Sequence, residues 1–236
     1  MINIVHNCDC MEFLQGCKPN EFDLAICDIQ YGINQGGGKN HSRSKLAMAK
    51  YYKDYGDKET MPPEYHKELK RVSKDRILWG ANHFIDNLHE PHNASCWIIW
   101  DKKNGKTDFA DCEIAWTTFN TAIRIFRFQW QGMLQGYSGN KNKNELRIHP
   151  NQKPVALYKW LLKNYAKPGW TIFDSHVGSG SLRIACYDMG FDFVGTELDF
   201  DYWQAQEERY KNHIAQGSLF DTKEIQRNIF EEGELI

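Results

Sequence analysis

A short apolar run that stops at a carboxylate constrains this chain more than any other stretch. Residues 24–27 read Leu-Ala-Ile-Cys, and Asp28 follows them directly. A continuous apolar run of this length is typical of a strand that is buried on both faces of a parallel sheet. Tyr31 follows shortly after, and ligands of open α/β sheets bind beyond the carboxyl ends of the strands. The stretch therefore predicts a buried strand that presents an acceptor, Asp28, and a stacking ring, Tyr31, to a flat ligand carrying an amine.

A second strand ending in an acid lies late in the chain. Residues 170–197 read as a strand, a glycine turn, a helix and another strand, and the first strand ends at Asp174. Gly178 and Gly180 in the turn allow the backbone to approach a ligand closely. Glu197 ends the second strand, 23 residues after Asp174. That separation is close to the spacing of about 20 residues at which an acid binds a ribose hydroxyl in dinucleotide sites.

A proline-rich hexapeptide precedes a segment with helical spacing. Residues 149–154 read His-Pro-Asn-Gln-Lys-Pro. Pro154 suits the first turn of a helix, and Asn151 is predicted to cap it. A helix N-terminus offers free backbone N–H groups, and Lys153 adds a positive charge, so the segment is a candidate carboxylate site.

Two further helix starts are indicated. Residues 2–5 alternate as a strand does, and Asp9 with Glu12 then forms a capping-box pattern. Residues 62–65 read Pro-Pro-Glu-Tyr, but no apolar strand precedes them. We interpret them as another helix start, since proline and an acid are typical of a first turn.

The middle of the chain reads as additional strands. The first two are apolar and buried in pattern, and the last two alternate, as half-exposed or antiparallel strands do. These four strands are predicted at residues 77–80, 96–100, 113–118 and 123–128.

A glycine-rich basic loop is expected at residues 33–60. Within it, residues 39–53 contain no acid and carry five basic residues, Lys39, Arg43, Lys45, Lys50 and Lys53. Such a loop can form a local phosphate-binding patch, whereas composition alone favours a solvated loop. We find no clear domain boundary, so residues 1–220 are expected to form one catalytic domain and residues 221–236 an acidic tail.

Composition gives broad limits on class and compartment. The 236 residues carry a net charge of -2, so bulk charge does not argue for nucleic acid. The seven cysteines are odd in number and lack paired zinc spacing, which favours reduced thiols in a cytoplasm and no metal site. We expect no membrane segment, because no apolar stretch approaches the roughly 20 residues needed to cross a bilayer.

Two of these segments resemble motifs of the amino-methyltransferases, the enzymes that methylate an exocyclic amine of adenine or cytosine in DNA. Asp28 and Tyr31 match the family's Asp-Pro-Pro-Tyr motif, while Ile29 and Gln30 replace its prolines. Residues 149–154 match five of the six positions of the family's His-Pro-Thr-Gln-Lys-Pro segment.

The glycine turn resembles the same family's cofactor loop, Asp-Pro-Phe-x-Gly-Ser-Gly-Thr. The matching positions are Asp174, Gly178, Ser179 and Gly180. Ser175 and His176 replace proline and phenylalanine, and we expect His176 to be hydrogen-bonded locally within the turn. The order of the three motifs is similar to that of the beta class of DNA amino-methyltransferases.

The resemblance implies a Rossmann-like, doubly wound α/β fold that binds S-adenosylmethionine. It also implies a seven-stranded, mostly parallel sheet with one antiparallel strand. The carboxylate of Asp28 and the carbonyl of Ile29 would accept hydrogen bonds from the target amine, and Tyr31 would stack on the flipped base. Without the prolines, packing has to hold these acceptors, so we expect Ile29 to be buried and the enzyme to be active.

The resemblance also implies a set of cofactor contacts. Asp9 would bind the adenine of the cofactor, Lys153 would lie at its methionine end, and Glu197 would bind its ribose. The complete expected set is Asp9, Asp28, Lys153, Asp174, Gly178, Gly180 and Glu197.

The carboxylate at the first motif position favours adenine N6 as the methyl acceptor, and cytosine N4 is the alternative. Two other readings stay open. One is a catalytically impaired homologue that still binds cofactor or DNA, because both prolines are absent. The other is a methyltransferase for RNA or for a protein glutamine. The expected partner is DNA, bound by a monomer or a homodimer.

Overall fold

Helices and strands alternate along most of the chain. The computed structural model describes residues 1–33, 58–88, 94–105, 110–131, 134–136 and 144–217. The helices are α1 (Cys10–Gly16), α2 (Pro63–Val72), α3 (Val155–Tyr165), α4 (Ser181–Met189) and α5 (Phe200–Gly217). The strands are β1 (Asn3–Asn7), β2 (Phe22–Cys27), β3 (Ser73–Trp79), β4 (Trp97–Asp101), β5 (Cys112–Thr117), β6 (Arg124–Arg127), β7 (Trp130–Gln131), β8 (Leu134–Gln135), β9 (Thr171–Asp174) and β10 (Asp192–Glu197).

Eight of the strands form one sheet in the order β1-β10-β9-β2-β3-β5-β4-β6. All neighbours are parallel except β5, which is antiparallel to both β3 and β4. The predicted mostly parallel sheet with one reversed strand is therefore confirmed, but the predicted count of seven is wrong. The additional strand is the exposed edge strand β6, which pairs with β4 and falls within the alternating segment predicted at residues 123–128. β7 and β8 form a separate two-stranded ribbon.

The direction of winding reverses between β9 and β2. From β9 the chain passes through α4 to β10 on one side, and from β2 it reaches α2 and then β3 on the other. β9 and β2 are themselves paired, with Leu24 opposite Ile172 and Ala25 opposite Phe173. Ligands of doubly wound sheets bind at such a switch point, in the crevice beyond the carboxyl ends of the strands.

The sheet has a hydrophobic core on each face. Leu24 and Ile26 of β2 belong to a cluster that includes Leu157 and Leu161 of α3. Their neighbours on the strand, Ala25 and Cys27, belong to a second cluster, with helices α1 and α2. Because successive side chains point to opposite faces, both faces must be covered, which explains the continuous apolar run of β2.

The helix starts agree in part with the sequence. The Asp9 carboxylate caps α1 by accepting from the N–H groups of Met11 and Glu12. α2 begins at Pro63, as residues 62–65 predicted. Asn151 does not cap α3: the N-cap position is Pro154, and the Glu145 carboxylate accepts from the N–H of Val155 instead.

Most of the basic loop and the whole acidic tail lie outside the described residues, so residues 34–57 and 218–236 have no structural account. Within the described segments, none of the helices is both long enough and apolar enough to pass through a membrane.

Candidate active site

The end of β2 places a carboxylate beside the switch point. Tyr31 donates a hydrogen bond from its hydroxyl to Oδ1 of Asp28 at 2.6 Å. Lys153 Nζ lies 2.5 Å from the other carboxylate oxygen, Oδ2, and donates to the Tyr31 hydroxyl at 3.3 Å. Both oxygens of Asp28 therefore have a partner, one neutral and one cationic. A carboxylate has about four acceptor positions, so it can take further donors in this state.

The Tyr31 ring is held by the chain that follows β3. It stacks on the imidazole of His83, with the ring centroids 5.2 Å apart and the planes at 16°. Gly80 lies so close that a Cβ atom there would be 2.1 Å from Tyr31 Cε1. Any other residue at position 80 would displace the ring, so glycine is required by close approach.

A second carboxylate reaches the same pocket from the reversed strand. Because β5 is antiparallel, its beginning lies at the carboxyl ends of its neighbours, and Glu113 pairs with Trp100 near the end of β4. Glu113 Oε2 lies 3.0 Å from Lys153 Nζ, and Oε1 forms an ion pair with Lys102 Nζ.

These ion pairs set the charge states of the pocket. Burial would raise the pKa of Glu113, but Lys153 and Lys102 outweigh it and hold that pKa well below its usual range. Burial would likewise lower the pKa of Lys153, and the carboxylates of Asp28 and Glu113 instead raise it. Glu113 is therefore a carboxylate and Lys153 an ammonium at neutral pH.

The acid at the end of β9 has different surroundings. Asp174 is 3% exposed and accepts from the backbone N–H of His176 at 3.0 Å. Burial, opposed by this hydrogen bond and reinforced by the carboxylates of Asp28 and Glu197, raises the pKa of Asp174 to about 8. A buried carboxyl with anionic neighbours is stabilised by any cation that comes to lie beside it.

Glu197 closes the glycine turn. Its Oε2 accepts from the N–H of Gly178 at 2.8 Å, and its Oε1 accepts from the N–H of Asp199 at 3.0 Å. Gly178 and Gly180 both have positive φ, 52° and 73°, which glycine adopts without strain. β1 lies beside β10 with Asn7 opposite Glu197, so Asp9 follows at the same edge of the sheet.

The two residues that replace the family's proline and phenylalanine form a polar chain. The Ser175 hydroxyl lies 2.8 Å from His176 Nδ1 and 2.6 Å from the Tyr65 hydroxyl. The local hydrogen bond predicted for His176 is thus confirmed. Burial lowers the pKa of His176 to about 4, so its imidazole is neutral at physiological pH.

The structure brings the sequence-predicted residues to one edge of the sheet. Asp9, Asp174 and Glu197 follow or end the neighbouring strands β1, β9 and β10. Ile29 is 4% exposed and packs in the core beside α1 and α2, so its predicted burial is confirmed. Lys153 turns towards Asp28, so its ammonium lies in the pocket of that carboxylate.

Sequence reasoning missed Glu113, Gly80 and His83. Glu113 stands in an alternating strand, where a charged residue usually faces solvent. Gly80 and His83 follow a buried strand with no pattern that links them to Tyr31. The parallel pairing of β2 with β3 brings Gly80 and His83 to Tyr31, and the pairing of β5 with β3 and β4 adds Glu113.

Comparison with known proteins bears on this arrangement. A family described as DNA methylase, with N6 and N4 methyltransferases as its members, matches residues 22–208. The chain belongs to this family.

Individual relatives of this chain share little sequence identity with it, but the matches cover most of both chains. The type II methyltransferase M2.DpnII of Streptococcus pneumoniae is 21% identical over 238 residues, covering 87% of this chain and 88% of that protein. The solved complex of M1.HpyAVI with SAM is 19% identical with a TM-score of 0.53, covering 89% of this chain and 98% of that one. PvuII DNA methyltransferase, described as cytosine-N4-specific, is 12% identical with a TM-score of 0.53, covering 94% and 92%.

These comparisons confirm the Rossmann-like methyltransferase fold, and S-adenosylmethionine is the cofactor of the protein. The residues at the sheet edge fit that group. The cofactor carries a sulfonium and an ammonium, and the raised pKa values of Asp174 and Glu197 mark a place where positive charge is favoured.

Proposed function

We propose that this DNA methylase transfers a methyl group from S-adenosylmethionine to the N6 amine of a flipped adenine. The observation that carries the proposal is the Asp28 carboxylate at the topological switch point, hydrogen-bonded by Tyr31 and paired with Lys153. An acceptor and an aromatic ring are the two groups that an extruded amino-base requires.

Asp28 and the carbonyl of Ile29 would accept the two hydrogens of the target amine. That amine is a poor nucleophile because its lone pair is delocalised into the ring of the base. Accepting both hydrogens draws the nitrogen towards tetrahedral geometry and stabilises the positive charge that develops as it is methylated. Burial of Ile29 supplies the positional restraint that the family's prolines would give.

Tyr31 would hold the extruded base by stacking. Base–aromatic stacking contributes about 1–3 kcal/mol per base and tolerates any base, so it fixes position more than identity. His83 and Gly80 already fix the ring. Little rearrangement of Tyr31 is then needed when a base enters.

The cofactor would lie along the ends of β1, β10 and β9. When bound, it supplies the methyl group that is transferred. Asp9 and Glu197 would take its adenosine, and Asp174 with the turn at Gly178 and Gly180 would line its methionine portion. Lys153, which pairs with Asp28, would lie at the methionine end of the cofactor.

Adenine is preferred over cytosine because the first motif position is a carboxylate, Asp28. Residues 1–220 would form the catalytic domain, and the basic residues 39–53 would contact DNA phosphates. The acidic tail at residues 221–236 would lie outside the catalytic unit.

The decisive experiment is to incubate the protein with methyl-labelled S-adenosylmethionine and unmethylated genomic DNA, digest the DNA, and identify the labelled nucleoside. N6-methyladenosine in its deoxy form is the expected product. N4-methyl-deoxycytidine would instead support the cytosine alternative. A protein that binds the cofactor but labels no DNA would be an impaired homologue. Label in RNA or protein, offered in parallel, would identify that macromolecule as the substrate.

A further inference from the structure

Lys153 occupies the place that the proposed reaction gives to the target amine. Its side chain is 4% exposed, and its ammonium sits 2.5 Å from Asp28 Oδ2. The rings of Tyr31 and Trp79 lie beneath it, with their centroids 5.8 and 5.6 Å away. The methyl acceptor would likewise be a nitrogen donor that Asp28 holds over an aromatic ring. A base that uses Asp28 must therefore share this carboxylate with Lys153 or displace it.

Glu113 is a second anionic partner within reach of the same ammonium. Its Oε2 lies 3.0 Å from Lys153 Nζ and is occluded from solvent. Among the described residues no group makes an aligned hydrogen bond to this oxygen, so the ion pair with Lys153 leaves acceptor capacity unused. Lys102 holds the other oxygen of Glu113, which fixes the carboxylate in place.

We propose that Glu113 is a positioning residue that receives the ammonium of Lys153 when the target amine engages Asp28. The inference rests on the proposed function, since it needs an amine that competes for Asp28. Lys153 Nζ lies between the two carboxylates, so a small shift completes its hydrogen bond to Glu113 and frees Asp28 Oδ2. The charge stays paired throughout, which avoids leaving a buried ammonium without an anion.

The test is a double-mutant comparison of methyl transfer at saturating cofactor. In Glu113→Gln, Lys153 has Asp28 as its remaining anion, and the transfer rate should fall at least about tenfold while cofactor affinity stays within about twofold. In Glu113→Gln with Lys153→Met the competing ammonium is gone, and most of the lost rate should return.

Lys102 provides a matched control. Glu113→Gln with Lys102→Met has the same net charge as the first double variant, but it leaves Lys153 on Asp28. It should remain as slow as Glu113→Gln alone. Equal recovery in both double variants would mean that only overall charge balance matters, and recovery in neither would mean that Lys153 does not compete; either result overturns the inference.

A binding readout separates this inference from the proposed function. Adenosine is titrated calorimetrically into each variant loaded with S-adenosylhomocysteine, and cytidine is used in a parallel series. The dissociation constant should rise in Glu113→Gln and recover with Lys153→Met but not with Lys102→Met. If the dissociation constants followed this order but the protein methylated no DNA, the proposed function would be refuted and the inference supported. Methylation in wild type together with equal nucleoside affinity in all variants, or no nucleoside binding at all, would overturn the inference.

Discussion

The two halves of the sheet edge hold their acids in opposite ways. On the side of β1, β9 and β10, backbone N–H groups bind the carboxylates: Asp9 accepts from Met11, Asp174 from His176 and Glu197 from Gly178. On the side of β2 and β5, ammonium groups bind them: Lys153 lies between Asp28 and Glu113.

This difference separates the electrostatics of two adjacent pockets. The backbone-bound acids Asp174 and Glu197 have raised pKa values, chiefly because they are buried. The lysine-bound Glu113 has a lowered one. The first pocket therefore gains from a cation that arrives with a ligand, whereas the second is already neutralised by the chain itself. The first pocket therefore suits a cationic cofactor, and the second suits a neutral base.

The largest expected effect is confined to the lysine-bound half. Asp28→Ala should reduce methyl transfer by about 10³-fold, because it removes the acceptor that stabilises the positive charge developing on the target amine. Cofactor affinity, measured by calorimetry, should change little. Asp86→Ala, which removes an exposed acid, serves as the control. If Asp28→Ala also strongly weakened cofactor binding, the two halves would not be separate.

Glu197→Ala should give the converse result. Loss of a charged acceptor for the ribose should weaken cofactor binding by about 10- to 100-fold. At saturating cofactor, the rate of methyl transfer should then approach that of wild type. Glu208→Ala on the exposed face of α5 is the matched control. Unchanged cofactor affinity in Glu197→Ala would remove Glu197 from the cofactor site.

The pKa of Asp174 predicts a pH dependence on the backbone-bound side. A bound cation favours the ionised carboxyl, so affinity should rise with pH up to about 8 and level off above it. Below that value the dissociation constant should change by up to about tenfold per pH unit. Asp174→Asn removes the titrating group, and its affinity should be weaker and flatter with pH. A wild-type affinity independent of pH between about 6 and 8 would contradict the raised pKa.

The same shift affects the stability of the ligand-free chain. The folded pKa of about 8 lies above the ordinary value of 3.8, so the folded state holds this proton more tightly than the unfolded state. Asp174 therefore contributes a loss of stability as pH rises between these two values. Denaturant titrations at several pH values should show a shallower decline in Asp174→Asn.

The smallest effect is expected for the hydroxyl of Tyr31. Tyr31→Phe keeps the ring and loses one hydrogen bond to Asp28, so transfer should fall by about three- to tenfold. Tyr31→Ala also removes the stacking ring, so it should lower methyl transfer further. If both variants lost the same activity, the hydroxyl rather than the ring would be the important group.

The backbone-bound half was readable from sequence because its signals are local. Asp9 precedes a helix, Asp174 and Glu197 end apolar strands, and the glycines between them mark a turn. The eighth strand was also readable, since residues 123–128 alternate. The predicted count of seven came from the resemblance, not from that pattern.

The lysine-bound half was readable only in part because its contacts join distant strands. The sequence places Lys153 just before α3, but it does not indicate that the side chain reaches Asp28, 125 positions earlier in the sequence. Glu113 carries no motif, and its role depends on the reversal of β5 between β3 and β4. The order in which strands pair within a sheet is a property of the whole fold, so no local sequence pattern predicts it.

The hydrogen bond between Gly178 and Glu197 closes the glycine turn with groups of the chain itself. A loop that orders on binding loses conformational entropy, and that loss weakens affinity. Here hydrogen bonds within the chain fix the turn, so association with this part of the protein should resemble docking to a rigid surface, with a small change in chain entropy and rapid encounter. Selectivity in that pocket would then follow from the shape of the turn, not from its ability to adapt.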